Sequence, residues 1–308
     1  MYKYRLFLLI LAVISISEII SGQAVAQPLK RSYSIPFQLT DHNNIAIPAV
    51  LNGKDSVTLM FHTAADDVTL TEDVTGTLTS VRFNGIVDSV QSWGGGDNSS
   101  RFSQYNSIVM GQLQHNNITI WEDKNSGQHT DGKVGMNLFK NKVIAIDFDK
   151  NTITVADELP PGIEDYDKLQ LTYSDNLMFV RAACQVGDSI FMHPFLLHSG
   201  YSGALLLDDV FVNDKKIGTQ VQITGEKNLT DAYGNIIKTK KAVLPSLHLG
   251  SRQLNGVPAG FFEGSIGRQK MSVMGGDILK RFNIIIDAQR TFIYLKPSHF
   301  YNTDFTNS

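Results

Sequence analysis

Short runs of β-branched and aromatic residues, separated by turn residues, dominate the chain after residue 30. Such runs predict strands at 34–39, 46–51, 57–61, 81–90, 107–110, 118–121 and 143–148. Asn-Asn and Asn-Gly pairs punctuate them, and Asn52-Gly53 predicts a hairpin turn between two of the strands. One short helix is predicted at 135–139, with Asn137 as its cap. The pattern predicts an all-β protein.

Two of the apolar runs end in the same way. Met60-Phe61 is followed by His62-Thr63-Ala64, and Leu196-Leu197 is followed by His198-Ser199-Gly200. A buried strand ends like this when it delivers one polar side chain to a tight, exposed turn. If the two copies belong to related lobes, the two histidines face each other across one cleft.

An internal repeat predicts two such lobes. Residues 135–155 align without a gap on residues 275–295, so that Gly135 and Gly275 lie 140 positions apart. Upstream, residues 108–111 match 247–250, and His62 matches His198 at a similar offset. Three landmarks in the same order indicate homologous units. We predict lobes at 32–157 and 166–297, a proline- and glycine-containing connector at 158–165 and a tail at 298–308.

Composition and charge narrow the class of protein. The chain has 308 residues, 42% of them hydrophobic, and a net charge of -3. It can therefore fill two cores, and it has no electrostatic bias toward nucleic acid. Its single cysteine, Cys184, excludes an intrachain disulfide and is predicted to be a core residue.

The N-terminus predicts export. Lys3 and Arg5 precede an apolar run at 6–14, and small residues precede Gln27, which is the pattern of a signal peptide at 1–26. The run is too short to span a bilayer and Glu18 interrupts its extension, so no membrane span is expected after cleavage. The mature protein is predicted to be periplasmic or extracellular.

The order of these features resembles the bilobal aspartic proteases, pepsin-like in architecture and closest to bacterial secreted relatives of the retropepsin type. The resemblance covers roughly residues 34–297. It implies two homologous β-barrel lobes with a cleft between them. In that family each lobe contributes an Asp-Thr/Ser-Gly triplet, whereas this chain has histidine at both aspartate positions, His62 and His198.

The resemblance also assigns the residues around the two histidines. Thr63 and Ser199 are implied to brace the two loops, together with Ala64 and Gly200. The glycines of the sequence Trp93-Gly94-Gly95-Gly96 are implied to form the flap over the ligand, with Trp93 stacking on it. Tyr201 shapes the second loop, and residues 231–235 form the matching hairpin of the second lobe.

The histidines change the chemistry that the resemblance implies. Aspartic proteolysis depends on two carboxyls that share one proton, and a histidine pair is neutral or singly charged instead. We therefore expect a catalytically degenerate homologue that binds an extended peptide or unfolded protein segment in the cleft, a mode that needs no aspartate. Neutral decay after loss of function stays open.

The alternative is an active exported peptidase that uses His62 and His198, directly or through a bound metal. General-base catalysis by one imidazole beside a protonated one is chemically feasible. Zinc needs a third ligand, and the sequence offers only Asp66, Asp67 and His193 near the triplets. No metal ligand set and no cofactor is assigned. Asp147 and Asp287, at equivalent points of the repeat, are predicted to cap turns.

Overall fold

The protein is described by a computed structural model that covers residues 31–90, 98–127, 129–230, 236–262 and 269–306. The predicted signal peptide, the predicted flap sequence Trp93-Gly94-Gly95-Gly96 and the predicted hairpin at 231–235 lie outside the described residues.

Strands form most of the first half of the chain. They are β1 (Ser32–Pro36), β2 (Gln38–Leu39), β3 (Ile45–Leu51), β4 (Asp55–Phe61), β5 (Val68–Thr71), β6 (Gly85–Val90), β7 (Asn98–Met110), β8 (Leu113–Asp123), β9 (Gly132–Val134), β10 (Val143–Asp147) and β11 (Thr152–Ala156). A short helix α1 (Glu72–Thr75) follows β5, and a 3-10 turn (Met136–Phe139) follows β9.

The second half repeats this plan. Its strands are β12 (Asp167–Ser174), β13 (Leu177–Val186), β14 (Ser189–Leu197), β15 (Leu205–Leu206), β16 (Ile223–Thr230), β17 (Ile236–Leu249), β18 (Arg252–Phe261), β19 (Val273–Met274), β20 (Phe282–Ile286) and β21 (Phe292–Pro297). Its helices are α2 (Asp209–Asp214), α3 (Ile217–Gln220) and α4 (Gly276–Leu279), and a 3-10 turn (Ile163–Asp165) lies in the predicted connector.

Each half closes a six-stranded barrel. The first barrel runs β3-β4-β9-β5-β8-β7 and back to β3. The second runs β13-β14-β19-β15-β18-β17 and back to β13, which is the same order of equivalent strands. Closure leaves no unpaired edge within either ring of six strands. The prediction of an all-β protein with two barrel lobes is confirmed.

A shared sheet joins the lobes in the order β1-β11-β10-β20-β21-β12. Its two central strands, β10 and β20, come from different lobes and pair antiparallel, with Ala145 opposite Ile285. These are the segments that match at an offset of 140 positions. All five residues of β20 are buried, which explains why this strand is continuously apolar rather than alternating.

The turn chemistry of the sequence is largely as predicted. Asn52 and Gly53 join β3 to β4, and both have positive φ, 50° and 66°. Asp147 and Asp287 accept backbone N–H bonds within turns, as expected of capping residues. Cys184 is buried in the core, and burial raises the pKa of its thiol to about 12.

Two local predictions are wrong. Asn137 does not cap the turn at 135–139. Gly135 holds the N-cap position without a side-chain bond, while the Asn137 amide donates to Asp67 Oδ1 at 2.7 Å. The strand predicted from residue 81 begins only at Gly85, where a Cβ would lie 2.1 Å from the Phe102 ring.

The tail packs on the second lobe. The buried Arg281 donates hydrogen bonds to the carbonyls of Phe300, Tyr301, Thr303 and Asp304. Across the described residues, no helix has the length and apolar content needed to cross a bilayer.

Candidate functional site

His62 and His198 follow equivalent strands of the two barrels. His62 comes directly after β4, and its backbone N–H donates to the Val134 carbonyl at 2.9 Å. His198 comes directly after β14, and its N–H donates to the Met274 carbonyl at 3.0 Å. Each bond continues a parallel pairing with the neighbouring strand. The two strand ends therefore present their histidines in the same way.

Thr63 and Ser199 connect the two loops by reciprocal hydrogen bonds. The Thr63 hydroxyl donates to the Leu197 carbonyl at 2.7 Å and accepts from the Ser199 N–H at 3.0 Å. The Ser199 hydroxyl donates to the Phe61 carbonyl at 2.6 Å and accepts from the Thr63 N–H at 3.0 Å. Both side chains are 3% exposed. The four bonds satisfy buried backbone groups of one lobe with a hydroxyl of the other.

The two imidazole rings lie in contact. Their centroids are 4.6 Å apart and their planes are inclined by 57°. Nδ1 of His62 accepts a hydrogen bond from the Ala64 N–H at 3.2 Å, so the neutral ring carries its proton on Nε2. Nδ1 of His198 is buried and has no hydrogen-bond partner among the described residues.

The surroundings hold both rings neutral. Burial lowers the pKa of His62 well below 6.5, and the nearby His198 and the Lys133 ammonium lower it further. Burial also lowers the pKa of His198, to about 4, with the charge of Lys133 acting in the same direction. Desolvation and like charges both disfavour an imidazolium. At neutral pH neither histidine carries a charge.

Gly200 allows the first histidine to reach the second loop. A Cβ at this position would lie 2.4 Å from Cδ2 and Nε2 of the His62 ring. Gly200 lies outside the positive-φ region, so the ring contact, and not the backbone conformation, requires a glycine here.

This contact gives a first prediction. Gly200→Ala should lower the free energy of unfolding by about 1–2 kcal/mol, because the methyl group overpacks against the His62 ring. In a protein that also carries His62→Ala, the same substitution should lower the free energy of unfolding much less, because the imidazole ring no longer occupies the space of the added methyl group. Urea denaturation of the four proteins measures both effects, and Gly225→Ala is the matched control because nothing lies within 4 Å of its Cβ. An equal cost in both backgrounds would contradict the contact.

No protein-family model matches the sequence, and no curated protein matches it. Among solved structures, the crystal structure of an aspartic proteinase from Irpex lacteus matches with a TM-score of 0.60. The match covers 90% of this chain and 100% of that chain at 12% sequence identity. The chain has the two-lobed pepsin-like fold. At this identity the similarity concerns the fold and not the activity.

Two asparagines that sequence reasoning treated only as a turn hold the second loop of the pepsin-like fold. Asn44 Nδ2 donates to the Ser199 carbonyl at 2.9 Å, and Asn43 Nδ2 donates to the Ser202 carbonyl at 2.8 Å. Asn43 also binds the tail through the Thr306 hydroxyl at 2.8 Å. The first lobe and the tail thus fix the loop that carries His198.

Lys133 is a second residue that sequence reasoning missed. It lies on β9 between Met60 and Thr69, on the opposite face from the core residue Val134, and forms an ion pair with Asp123. The sequence feature that marks Lys133 is a charged residue within a strand of three residues that has no other polar side chain. Its charge acts on both histidines of the pair.

Tyr201 is the remaining sequence-predicted residue that the structure describes. A Cβ at Gly275 would lie 2.5 Å from its ring, and one at Gly203 would lie 2.6 Å from its hydroxyl, so both glycines make room for it. The Tyr201 N–H donates to the His198 carbonyl at 3.0 Å. The side chain fills the base of the second loop.

Of the three candidate metal ligands, Asp67 and His193 bind other side chains, and Asp66 is exposed. Nε2 of His193 lies 2.8 Å from Asp208 Oδ2 and 2.9 Å from Ser272 Oγ. Asp67 accepts from Trp121 Nε1 at 3.1 Å as well as from Asn137. Within the described part of the chain, no three His, Cys, Asp or Glu residues are grouped closely enough to hold a metal ion. The histidine pair therefore offers two ligands where zinc takes three or four.

Proposed function

We propose that the protein is an aspartic-protease homologue in which His62 and His198 occupy the positions of the two catalytic carboxyls. Its cleft binds an extended peptide or unfolded protein segment without cleaving it. The observation that carries the proposal is the pair of loops itself, held together by the Thr63 and Ser199 hydroxyls and presenting two neutral rings in contact.

Neutral imidazoles do not reproduce the aspartic-protease mechanism. That mechanism needs one carboxylate to take a proton from water and one carboxylic acid to donate to the substrate carbonyl. Here Nδ1 of His62 is occupied by the Ala64 N–H, and the two rings contact each other where a shared water would have to lie. The lowered pKa of each histidine also removes the imidazolium that would act as the acid.

The same features suit binding. The brace between the lobes maintains the shape of the cleft without any charged group at its centre. An extended peptide is held by backbone hydrogen bonds and by pockets for alternate side chains, neither of which requires a carboxyl dyad. The Nε2–H of His62 supplies one donor for a peptide carbonyl.

We propose that this binding takes place outside the cytoplasm. Residues 1–26 have the charged start, the apolar run and the small-residue cleavage region of a signal peptide. A protein with a single buried cysteine needs no disulfide chemistry after export. Fractionation of cells that express the full-length chain tests this location, with mature protein beginning at Gln27 as the expected product.

Peptide incubation tests the function. The mature protein, mixed with an unstructured peptide library between about pH 4 and about pH 7, with and without zinc, should give no cleavage products. A subset of peptides should raise its Tm, since a ligand that binds only the folded state stabilises it. Trp93→Ala, in the predicted flap, should reduce that shift.

The same experiment can contradict the proposal. Turnover that is lost in both His62→Ala and His198→Ala would establish an active hydrolase, and zinc-dependent turnover would assign the metal route. An active aspartic protease assayed on the same library at acid pH serves as the positive control. Absence of any Tm shift across the library would remove the binding function.

A further inference from the structure

The hairpin formed by β16 and β17 covers the second site loop with one of its faces. Leu229 of this hairpin packs against a small apolar cluster outside the barrel core that includes Leu206 and Phe262, and Tyr201 and Ala64 pack against the same cluster. Tyr201 and Ala64 belong to the two loops that carry the histidines. The face of the hairpin that bears Leu229 is therefore directed at the site.

Two lysines lie on this same face. Lys227 precedes Leu229 by two residues and pairs across the hairpin with Thr239, which precedes Lys241 by two residues. Residues two apart on a strand, and residues paired across strands, project to the same side of a sheet. We call Lys227 and Lys241 together the lysine face.

A neighbouring glycine fixes the direction of the lysine face independently. Lys241 pairs with Gly260 across β17 and β18. A Cβ at Gly260 would lie 3.3 Å from Leu206 Cδ1 and 3.7 Å from the Tyr201 hydroxyl. Because paired residues share a face, the Lys241 side chain is on the side of the sheet that contacts Tyr201.

The lysine face carries positive charge that no described residue neutralises. Within the described residues, neither Lys227 nor Lys241 forms an ion pair with a carboxylate. The one acidic residue of the two strands, Glu226, lies on the opposite face and pairs with Lys238 at 2.8 Å and Lys240 at 3.0 Å. Both lysines of the lysine face are only partly exposed.

The free protein bears an electrostatic cost at this position. Burial lowers the pKa of Lys227, and the charge of Lys241 lowers it further. Like charges on diagonal neighbours of a hairpin repel each other, and desolvation makes the repulsion stronger. An anion placed between the two ammonium groups would convert this repulsion into charge-assisted hydrogen bonds.

We propose that the lysine face binds a carboxylate of the ligand, so that the cleft selects acidic peptides. The inference rests on the proposed peptide-binding function and names its substrate class. The carboxylate is either an aspartate or glutamate side chain or the C-terminus of the peptide. The central histidines, being neutral, neither attract nor repel this group, and the selection is made by the second lobe.

The test starts from a labelled peptide that raises the Tm of the protein. A series of variants of this peptide places one glutamate at successive positions of an otherwise neutral sequence. Each variant is made with a free and with an amidated C-terminus. The double variant Lys227→Gln, Lys241→Gln should weaken binding of the acidic peptides about tenfold and leave neutral peptides unchanged. Position-dependent preference for glutamate assigns a side chain, and loss of affinity on amidation assigns the C-terminus. Added salt should reduce the preference.

Lys238→Gln is the matched control for the single variants Lys227→Gln and Lys241→Gln, because it removes one positive charge from the opposite face of the same hairpin. It should leave the preference for glutamate intact. An equal loss of affinity in Lys238→Gln, or equal binding of acidic and neutral peptides by the unmodified protein, overturns the inference while the proposed function stands. Binding of no peptide at all overturns both.

Stability of the free protein provides a second readout. Lys227→Gln should raise the Tm slightly or leave it unchanged, because it removes a half-buried charge that pairs with no carboxylate in the described part of the chain. A purely structural lysine would give the opposite sign. A clear fall in Tm for this variant, with acidic peptides still bound as tightly as before, would assign Lys227 to packing and contradict the carboxylate site.

Discussion

Thr63→Val should lower the free energy of unfolding by about 3 kcal/mol, although valine has nearly the same shape as threonine. The substitution leaves the Leu197 carbonyl and the Ser199 N–H without their partners in a buried interface. Each unsatisfied buried backbone group costs about 1–3 kcal/mol. The shared sheet of β10 and β20 is untouched, so the variant should still fold.

Urea denaturation at neutral pH measures this loss. Thr77→Val is the control, because the Thr77 hydroxyl also donates to a backbone carbonyl, that of Val74, but at an exposed position. It should change stability by no more than about 0.5 kcal/mol. Ser199→Ala should cost as much as Thr63→Val, since it frees the equivalent groups of the other lobe. If Thr63→Val costs no more than the control, the hydroxyls do not hold the loops together.

The architecture could be predicted because its strand ends and turns depend on neighbouring residues, and because the same pattern occurs in both halves of the chain. Strand ends at His62 and His198 follow from apolar runs that stop at a polar residue, and the turn at Asn52-Gly53 follows from residues that accept positive φ. The gapless match of 135–155 to 275–295 then fixes two lobes without any knowledge of long-range contacts.

The supporting contacts could not be predicted in the same way. Asn44 binds the Ser199 carbonyl across a separation of 155 residues, and nothing in the sequence Asn43-Asn44 distinguishes that role from a turn. Local rules favour Asn137 as a helix cap through its side-chain oxygen, whereas in the folded chain Gly135 holds the cap position and the Asn137 amide donates to Asp67 from another segment. The charge of Lys133 lowers the pKa of both histidines through space, and the pattern of apolar and polar residues along the chain does not indicate this proximity.

These missed residues change the interpretation of the histidines. The sequence left open a singly protonated pair, which could place an acid beside a base. In the structure, burial and the Lys133 ammonium disfavour a proton on either ring, and the His198 imidazole disfavours it further on His62. These neighbours disfavour the singly protonated state that acid-base chemistry by the pair would need, while the Thr63 and Ser199 hydroxyls hold the two loops together.

Stability should consequently fall as the pH falls from about 6.5 toward about 4, and most of this dependence should come from the histidine pair. The pKa of His198 is 6.5 when unfolded and about 4 in the folded protein. Above pH 6.5 the ring is neutral in both states and its contribution is fully present. As the pH drops, the unfolded chain binds the proton first, and stability is lost until the folded ring also titrates.

The expected size follows from this shift. Between pH 7 and pH 4.5, His198 alone should account for about 2 kcal/mol of lost stability. His62, whose pKa is also lowered, adds to the loss in the same direction. Asp55 and Glu226, whose pKa values are lowered to about 2 from 3.8 and 4.5, start to lose their own contribution to stability only near the lower end of this window, and most of that loss falls below it. His115, whose pKa burial also lowers, leaves a residual slope.

Urea denaturation across this pH range, for the unmodified protein and for the double variant His62→Gln, His198→Gln, isolates the contribution of the pair. The variant should lose most of the pH dependence, whatever its absolute stability at pH 7. His129→Asn, which removes an exposed histidine and keeps a residue that tolerates its φ of 61°, should retain it. A double variant with the same slope as the unmodified protein would mean that the two rings accept protons freely in the folded state. The pair would then be available as acid and base, and the case against hydrolysis would be lost.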